Sequence, residues 1–274
     1  MFKTRVLSAI VLVALALVTI LAGGYVLAAT LLFLALVAYR ELMMACKLHG
    51  TDGKCSPLEV IGYLGITGYY LTMVFVPNRI YLFMALILIL VAFMFVYVFT
   101  FPRYHSEQIM SAFFCVAYAP VMLSCIYLVR SLPYGVYTVW MIFISSWICD
   151  TCAYLVGICI GKHKLAPVLS PKKSIEGAVG GVLGSALVGA AYGFFVVESV
   201  VQEQQITWLF VLISAVGAVI SQVGDLAASA IKRNQKIKDY GKLIPGHGGV
   251  MDRFDSVIFT APMIYFLVLL LIRA

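Results

Sequence analysis

The chain is expected to fold as an all-α, polytopic transmembrane helix bundle of about nine spans, and three observations lead there. Hydrophobic residues make up 63% of its 274 positions and charged residues 11%. With a mean hydropathy of +1.04, that is more apolar surface than a soluble core can hide. The apolar residues come in runs close to the ~20 needed to cross a ~30 Å hydrocarbon core. Turn-forming residues separate the runs at short intervals.

The first run, 5–22, follows Lys3 and Arg5, as the apolar stretch of a signal peptide would. Gly23-Gly24 turns it directly into a second run, 25–45, so it reads as a retained span. The polar stretch from Gly50 to Pro57 precedes a run at 58–76, and Pro77-Asn78 separates this from 80–100. Pro102 and Pro133 bracket 108–130 and open 136–160. A basic loop at 161–174 leads to 175–197, the polar run from Glu198 to Gln205 to 207–231, and a second basic loop, 232–254, to 255–273. The whole of 1–274 reads as one integral membrane domain, with 1–130 as scaffold spans and 136–274 as the half that carries chemistry.

Nine crossings put the termini on opposite sides. With the N-terminus cytoplasmic, 16 of the 19 Lys and Arg fall on that side, and only Arg79, Arg130 and Arg273 fall opposite. Under the positive-inside rule this places both basic loops in the cytoplasm and the C-terminus across the membrane. The net charge of +7 is therefore membrane-related, and nucleic acid is disfavoured as a partner because the basic residues sit between spans. The seven cysteines are mostly inside apolar runs. Their odd number gives no disulfide framework, and the lone Cys149/Cys152 pair lacks a second CxxC.

In the seventh run Gly177, Gly181, Ser185, Gly189 and Gly193 recur every fourth residue, a spacing that lets helices approach closely in lipid. Packing within the monomer is favoured over a homodimer seam, which stays open.

Three acids lie within or at the edge of the spans: Asp150, Glu176 and Asp225. An acid at a helix centre costs ~2.5–3.5 kcal/mol on insertion scales, so it is expected to face a polar cavity. Ser221, Asp225 and Ser229 are spaced by four, with Lys232 three further on, which makes a polar stripe down one helix face. Ser146, Asp150 and Tyr154 are expected to form a second stripe. Ser174 is an N-cap candidate, and Lys172 and Lys173 precede it.

Between Lys232 and Asp255 lie six basic residues and three aspartates. Lys and Arg bind phosphate oxygens directly, whereas carboxylates repel them unless a divalent cation stands between. The combination points to a metal-bound polyphosphate. Asp252 and Asp255, three apart, share a helix face, and two-metal sites hold cations ~3.5–4 Å apart. Gly246, Gly248 and Gly249 around His247 would let backbone N–H groups approach phosphate oxygens, although a simple turn would use them too. The Walker pattern GxxxxGK[ST] is absent. An ion-coupled transporter relaying charge through Asp150 and Asp225 is the competing class; it leaves the basic loop without a purpose.

Ser229-Ala230-Ile231-Lys232-Arg233, Lys238-Asp239, Gly241, Leu243 to Pro245, His247-Gly248-Gly249, Asp252-Arg253 and Asp255 resemble, without a gap over 27 residues, the signature of phosphatidate cytidylyltransferases, also called CDP-diacylglycerol synthases. Asp150 to Tyr154, Gly161 to Leu165, Ser170 to Ser174 and Glu176-Gly177 resemble a second family stretch, with Cys152 where glycine is usual and Ser174 where threonine is usual. The first 130 residues resemble the family only in hydropathy. The resemblance implies a membrane enzyme that joins CTP to phosphatidic acid, giving CDP-diacylglycerol and pyrophosphate, with Mg²⁺ and room for a second cation; related enzymes take isoprenoid lipid phosphates. It implies Asp225 and Asp252 as principal metal ligands, with Asp255 and Asp239 in support. Lys172, Lys173, Lys232, Arg233, Lys238, His247 and Arg253 would hold phosphates, with Asp150, Ser174, Ser229, Gly246, Gly248 and Gly249 lining the substrate site.

Overall fold

Each apolar run becomes a helix, as lipid requires of any segment that must satisfy its own backbone. The computed structural model describes residues 2–50, 55–201, 206–244, 246 and 248–272, with side chains from residue 11 onward. Among these, eight helices are long and apolar enough to cross a membrane, and Val11–Ala22 adds a shorter apolar one. The helices are α1 (Phe2–Ala22) and α2 (Gly24–Ala45), then α3 (Pro57–Phe75), α4 (Ile80–Phe99), α5 (Ser106–Arg130), α6 (Gly135–Ile160), α7 (Ile175–Val201), α8 (Ile206–Asn234) and α9 (Met251–Leu271). The expected basic loop after α6 is not irregular: β1 (Lys164–Ala166) and β2 (Ser170–Ser174) pair antiparallel, with Lys164 opposite Ser174 and Ala166 opposite Ser170.

The chain divides into two compact units, one made of Met1–Tyr127 and Gln235–Arg253, the other of Leu128–Asn234 and Phe254–Ala274. In the first, α2 is central. Leu27, Leu31, Ala35, Ala38 and Leu42 are buried at spacings of three or four, a stripe along one face, and toward the end of the helix Glu41 and Met43 are buried beside it. Tyr39 completes it: its hydroxyl donates to the Leu58 carbonyl at 3.1 Å and lies where Gly62 has no side chain. Ser56 and Glu59 form a capping box on α3, and Glu59 also pairs with His49 Nδ1 at 2.6 Å. Pro120 sits within a π-helical turn of α5, Ala117–Val121, and its carbonyl accepts the Tyr70 hydroxyl at 2.9 Å. A proline cannot supply an N–H to the helix, so a widened turn is the expected accommodation. Helix α4 leaves Phe83, Leu88, Phe95 and Phe99 exposed, consistent with a lipid-facing position.

In the second unit α7 lies between α6 and α8, and the small-residue stripe explains how closely. Cβ atoms on Gly177 or Gly181 would meet the carbonyls of Ala153 or Cys149 within 3 Å. The Ser214 side chain occupies the corresponding space at Gly189. Ser185 donates to the Ile144 carbonyl at 3.1 Å. The stripe is thus filled inside the monomer, as the favoured reading of the sequence had it. The Cys149 sulfur accepts from Gln222 Nε2 at 3.3 Å, and Cys152 packs against the position of Gly184. Every cysteine is a free thiol.

Candidate active site

Ser174 caps α7 as expected, its hydroxyl accepting the Gly177 N–H at 3.1 Å. The two lysines before the cap point to opposite faces of the strand and meet different surroundings. Lys172 is exposed, while Lys173 is half-buried and pairs with the Asp225 carboxylate. Glu176, in the first turn of α7, accepts from the Lys162 N–H at 3.1 Å and meets His163 Nδ1 at 2.6 Å, which fixes the start of the hairpin.

The polar stripe of α8 forms as the sequence predicts. Ser221 is fully buried, and Asp225, Ser229 and Lys232 are half-buried, so the stripe opens toward the basic end of the helix. The Ser229 hydroxyl lies 3.5 Å from Asp225 Oδ1, at the outer limit of a hydrogen bond. Gly224 presses against the Asp255 carbonyl and Phe259 of α9, which brings α9 beside the stripe. There Asp255 Oδ1 accepts the Ser256 N–H at 2.8 Å, and the Ser256 hydroxyl reaches Asp150 Oδ2 at 3.4 Å. Asp225, Lys232 and Asp150 all lie within electrostatic range of Asp255. Three carboxylates and two lysines, from α6, β2, α8 and α9, therefore share one end of this unit.

Along the second expected stripe the surroundings change. Ser146 lies in a π-helical turn over Ile144–Ile148, buried and bonded to the Ile142 carbonyl at 2.7 Å, whereas Tyr154 is 68% exposed. Asp150, between them, reaches the cluster through Ser256.

The remaining site candidates lie on the loop of the first unit or point outward. Lys238, Asp239, Gly246 and Arg253 are exposed, as is Arg233 at the end of α8. His247 lies outside the described residues. Asp252 is buried; its Oδ2 accepts the Tyr240 N–H at 2.8 Å and the Gly249 N–H at 3.0 Å. Gly248, at φ +86°, sits where a side chain would collide with that carboxylate. Gly249 thus gives its N–H to a protein carboxylate, a use that glycines in a loop do not announce.

The count of acids in spans needs correcting as well: Glu41 and Glu59 are also there, both buried. Glu41 accepts the N–H groups of Val250 at 3.0 Å and Met251 at 2.8 Å. The signal was available, as a single acid in the apolar run 25–45, but its partners are over 200 residues away in the chain.

Among the described residues no three Asp, Glu, His or Cys side chains form a ready-made metal cage. Mg²⁺ does not need one, since it is usually held by one or two carboxylates with substrate phosphates and waters completing the shell. The all-oxygen donors of Asp225 and Asp255 suit such a hard cation.

Residues 3–271 match the model of the cytidylyltransferase family. The chain is 34% identical to a phosphatidate cytidylyltransferase of Staphylococcus haemolyticus, over 97% of this chain and 99% of that one. It is similar to the proteins of that name from Staphylococcus epidermidis, at 34%, and Staphylococcus aureus, at 33%, over the same shares. With a family model matched over nearly its whole length and relatives at a third identity across both chains, the chain belongs to the cytidylyltransferase family.

Proposed function

We propose that this cytidylyltransferase joins CTP to phosphatidic acid, releasing pyrophosphate and leaving CDP-diacylglycerol in the bilayer, at the cluster of Asp150, Asp225, Asp255, Lys173 and Lys232. The observation that carries this reading is the convergence of acids and lysines on one another around Asp255. Carboxylates alone would repel a triphosphate, and lysines alone would need no carboxylates. Together they suit a polyphosphate that arrives with Mg²⁺. Asp225 and Asp255 would hold the cation, which supplies charge neutralisation at the reacting phosphates.

Lys173 and Lys232 bind phosphate oxygens and place the α-phosphorus of CTP in line with the lipid phosphate. An oxygen of that phosphate attacks, the new P–O bond forms, and the bond to the β-phosphate breaks with its electrons leaving on pyrophosphate. A phosphate monoester has a second pKa of ~6, so it is mostly dianionic at neutral pH and asks no side chain to remove a proton. The protein's contribution is positioning and electrostatic preorganisation.

The positive-inside tally supports a cytoplasmic N-terminus and cytoplasmic loops, so that CTP is met from the cytosol and the lipid from the inner leaflet. Pyrophosphate release by purified protein over a panel of lipid phosphates tests the reading. Release with phosphatidic acid and CTP is expected; turnover only with isoprenoid phosphates, or none with any lipid, would overturn it.

A further inference from the structure

Glu41 is only 3% exposed, within a span that is otherwise apolar over most of its length. A buried carboxylate is costly unless it is hydrogen-bonded, and here each oxygen has its own donor. Oε1 takes the Val250 N–H and Oε2 the Met251 N–H. These are N–H groups at the start of α9, which no carbonyl of that helix can satisfy. Glu41 therefore caps α9 from a helix over 200 positions away in sequence, and its negative charge suits a helix N-terminus.

The loop is shaped around this contact. Cβ atoms on Gly241 or Gly249 would fall on the Glu41 carboxylate, so both glycines are where the backbone must come close. Asp252 ties the same loop from inside through the N–H groups of Tyr240 and Gly249. Between them, two carboxylates hold four backbone N–H groups of one short segment.

We propose that Glu41 is a positioning residue for the cytidylyl transfer: it fixes the backbone on which Tyr240, Gly241, Gly249, Val250 and Met251 lie, and so the placing of Lys238 at the head of the same segment. This rests on the proposed cytidylyl transfer and on the phosphate-holding role that the family resemblance implies for Lys238. A carboxamide keeps the shape of the side chain but offers one acceptor and turns an N–H₂ toward the other N–H.

The test uses the full chain in detergent micelles, comparing E41Q, E41L, G241A and K238A with the parent. Trypsin cleavage within the loop, at the exposed Lys238 and Lys242, reports its order, and initial rates give the KM for CTP and kcat separately. E41Q is expected to raise both the cleavage rate and the KM for CTP roughly tenfold, and E41L more, with a smaller change in kcat. G241A, which disturbs the contact from the loop side, should follow E41Q even if E41L fails to fold. Unchanged cleavage in E41Q and G241A would overturn the proposal, as would faster cleavage with an unchanged KM. K238A tells the failures apart: if it too leaves the KM for CTP unaltered, the loop does not serve the nucleotide, whereas a raised KM there leaves the loop's role intact and removes only that of Glu41.

Discussion

Lys173 of β2 and Asp225 of α8 form an ion pair, which joins the basic hairpin to the acidic stripe of the eighth helix. Both groups are about a quarter exposed, so the pair contributes little to stability. Its value lies in placing a phosphate-binding cation beside a candidate metal ligand.

Two neighbouring lysines should therefore behave differently. K173A is expected to lower kcat/KM for CTP about a hundredfold, while K172A, which removes an exposed charge, should cost less than about fivefold. Steady-state kinetics on the two purified variants check this, and equal effects would contradict the division of roles.

Asp225→Asn keeps the size of the side chain and removes its charge. It is expected to lower kcat by about 10²–10³, the scale of losing one preorganised electrostatic partner, with an unchanged thermal midpoint. Pyrophosphate release and a melting curve on the same sample measure both. Activity near the parent level would exclude Asp225 as a metal ligand.

Chelation offers an independent check. EDTA should abolish turnover, and added Mg²⁺ should restore it, with Ca²⁺ a poor substitute because it prefers longer bonds and more ligands. Full activity in excess chelator would remove the cation from the mechanism.

The helix contacts make a stability prediction. In Gly177→Ala the new methyl would sit 2.6 Å from the Ala153 carbonyl, and overpacking of this kind costs about 1–3 kcal/mol. Gly68→Ala meets nothing within 4 Å and should stabilise α3 by up to about 1 kcal/mol through helix propensity. Denaturation of the two variants in the same detergent compares them directly.

Much of this molecule can be read from its sequence, because lipid constrains it strongly. The spans follow from run length alone, and the α8 stripe follows from a spacing of four, both local properties. The candidate cluster is legible as far as residue types go: the sequence singles out Asp225, Asp255 and Lys173, and the structure brings them together. The hairpin was hidden because Lys164–Ala166 and Ser170–Ser174 are too short and too polar to show a period of two. Glu41 was hidden because its partners are determined by tertiary packing, and no local pattern reports a carboxylate that satisfies another helix's first turn. As sequence, the glycines of the loop suggest room for a ligand, whereas Gly248 and Gly249 accommodate carboxylates of the chain itself.

The π-helical turn at Ile144–Ile148 has a bearing on which edits α6 can accept. Each residue of a helix turns the chain by about 100°, so shortening this segment by one would swing Asp150 away from Ser256 even with every side chain retained. Spacing upstream of that aspartate is thus as much a determinant of its use as its identity. Substitutions between 144 and 148 that keep chain length are the safer way to engineer this helix, whereas single-residue deletions there should behave like removal of Asp150.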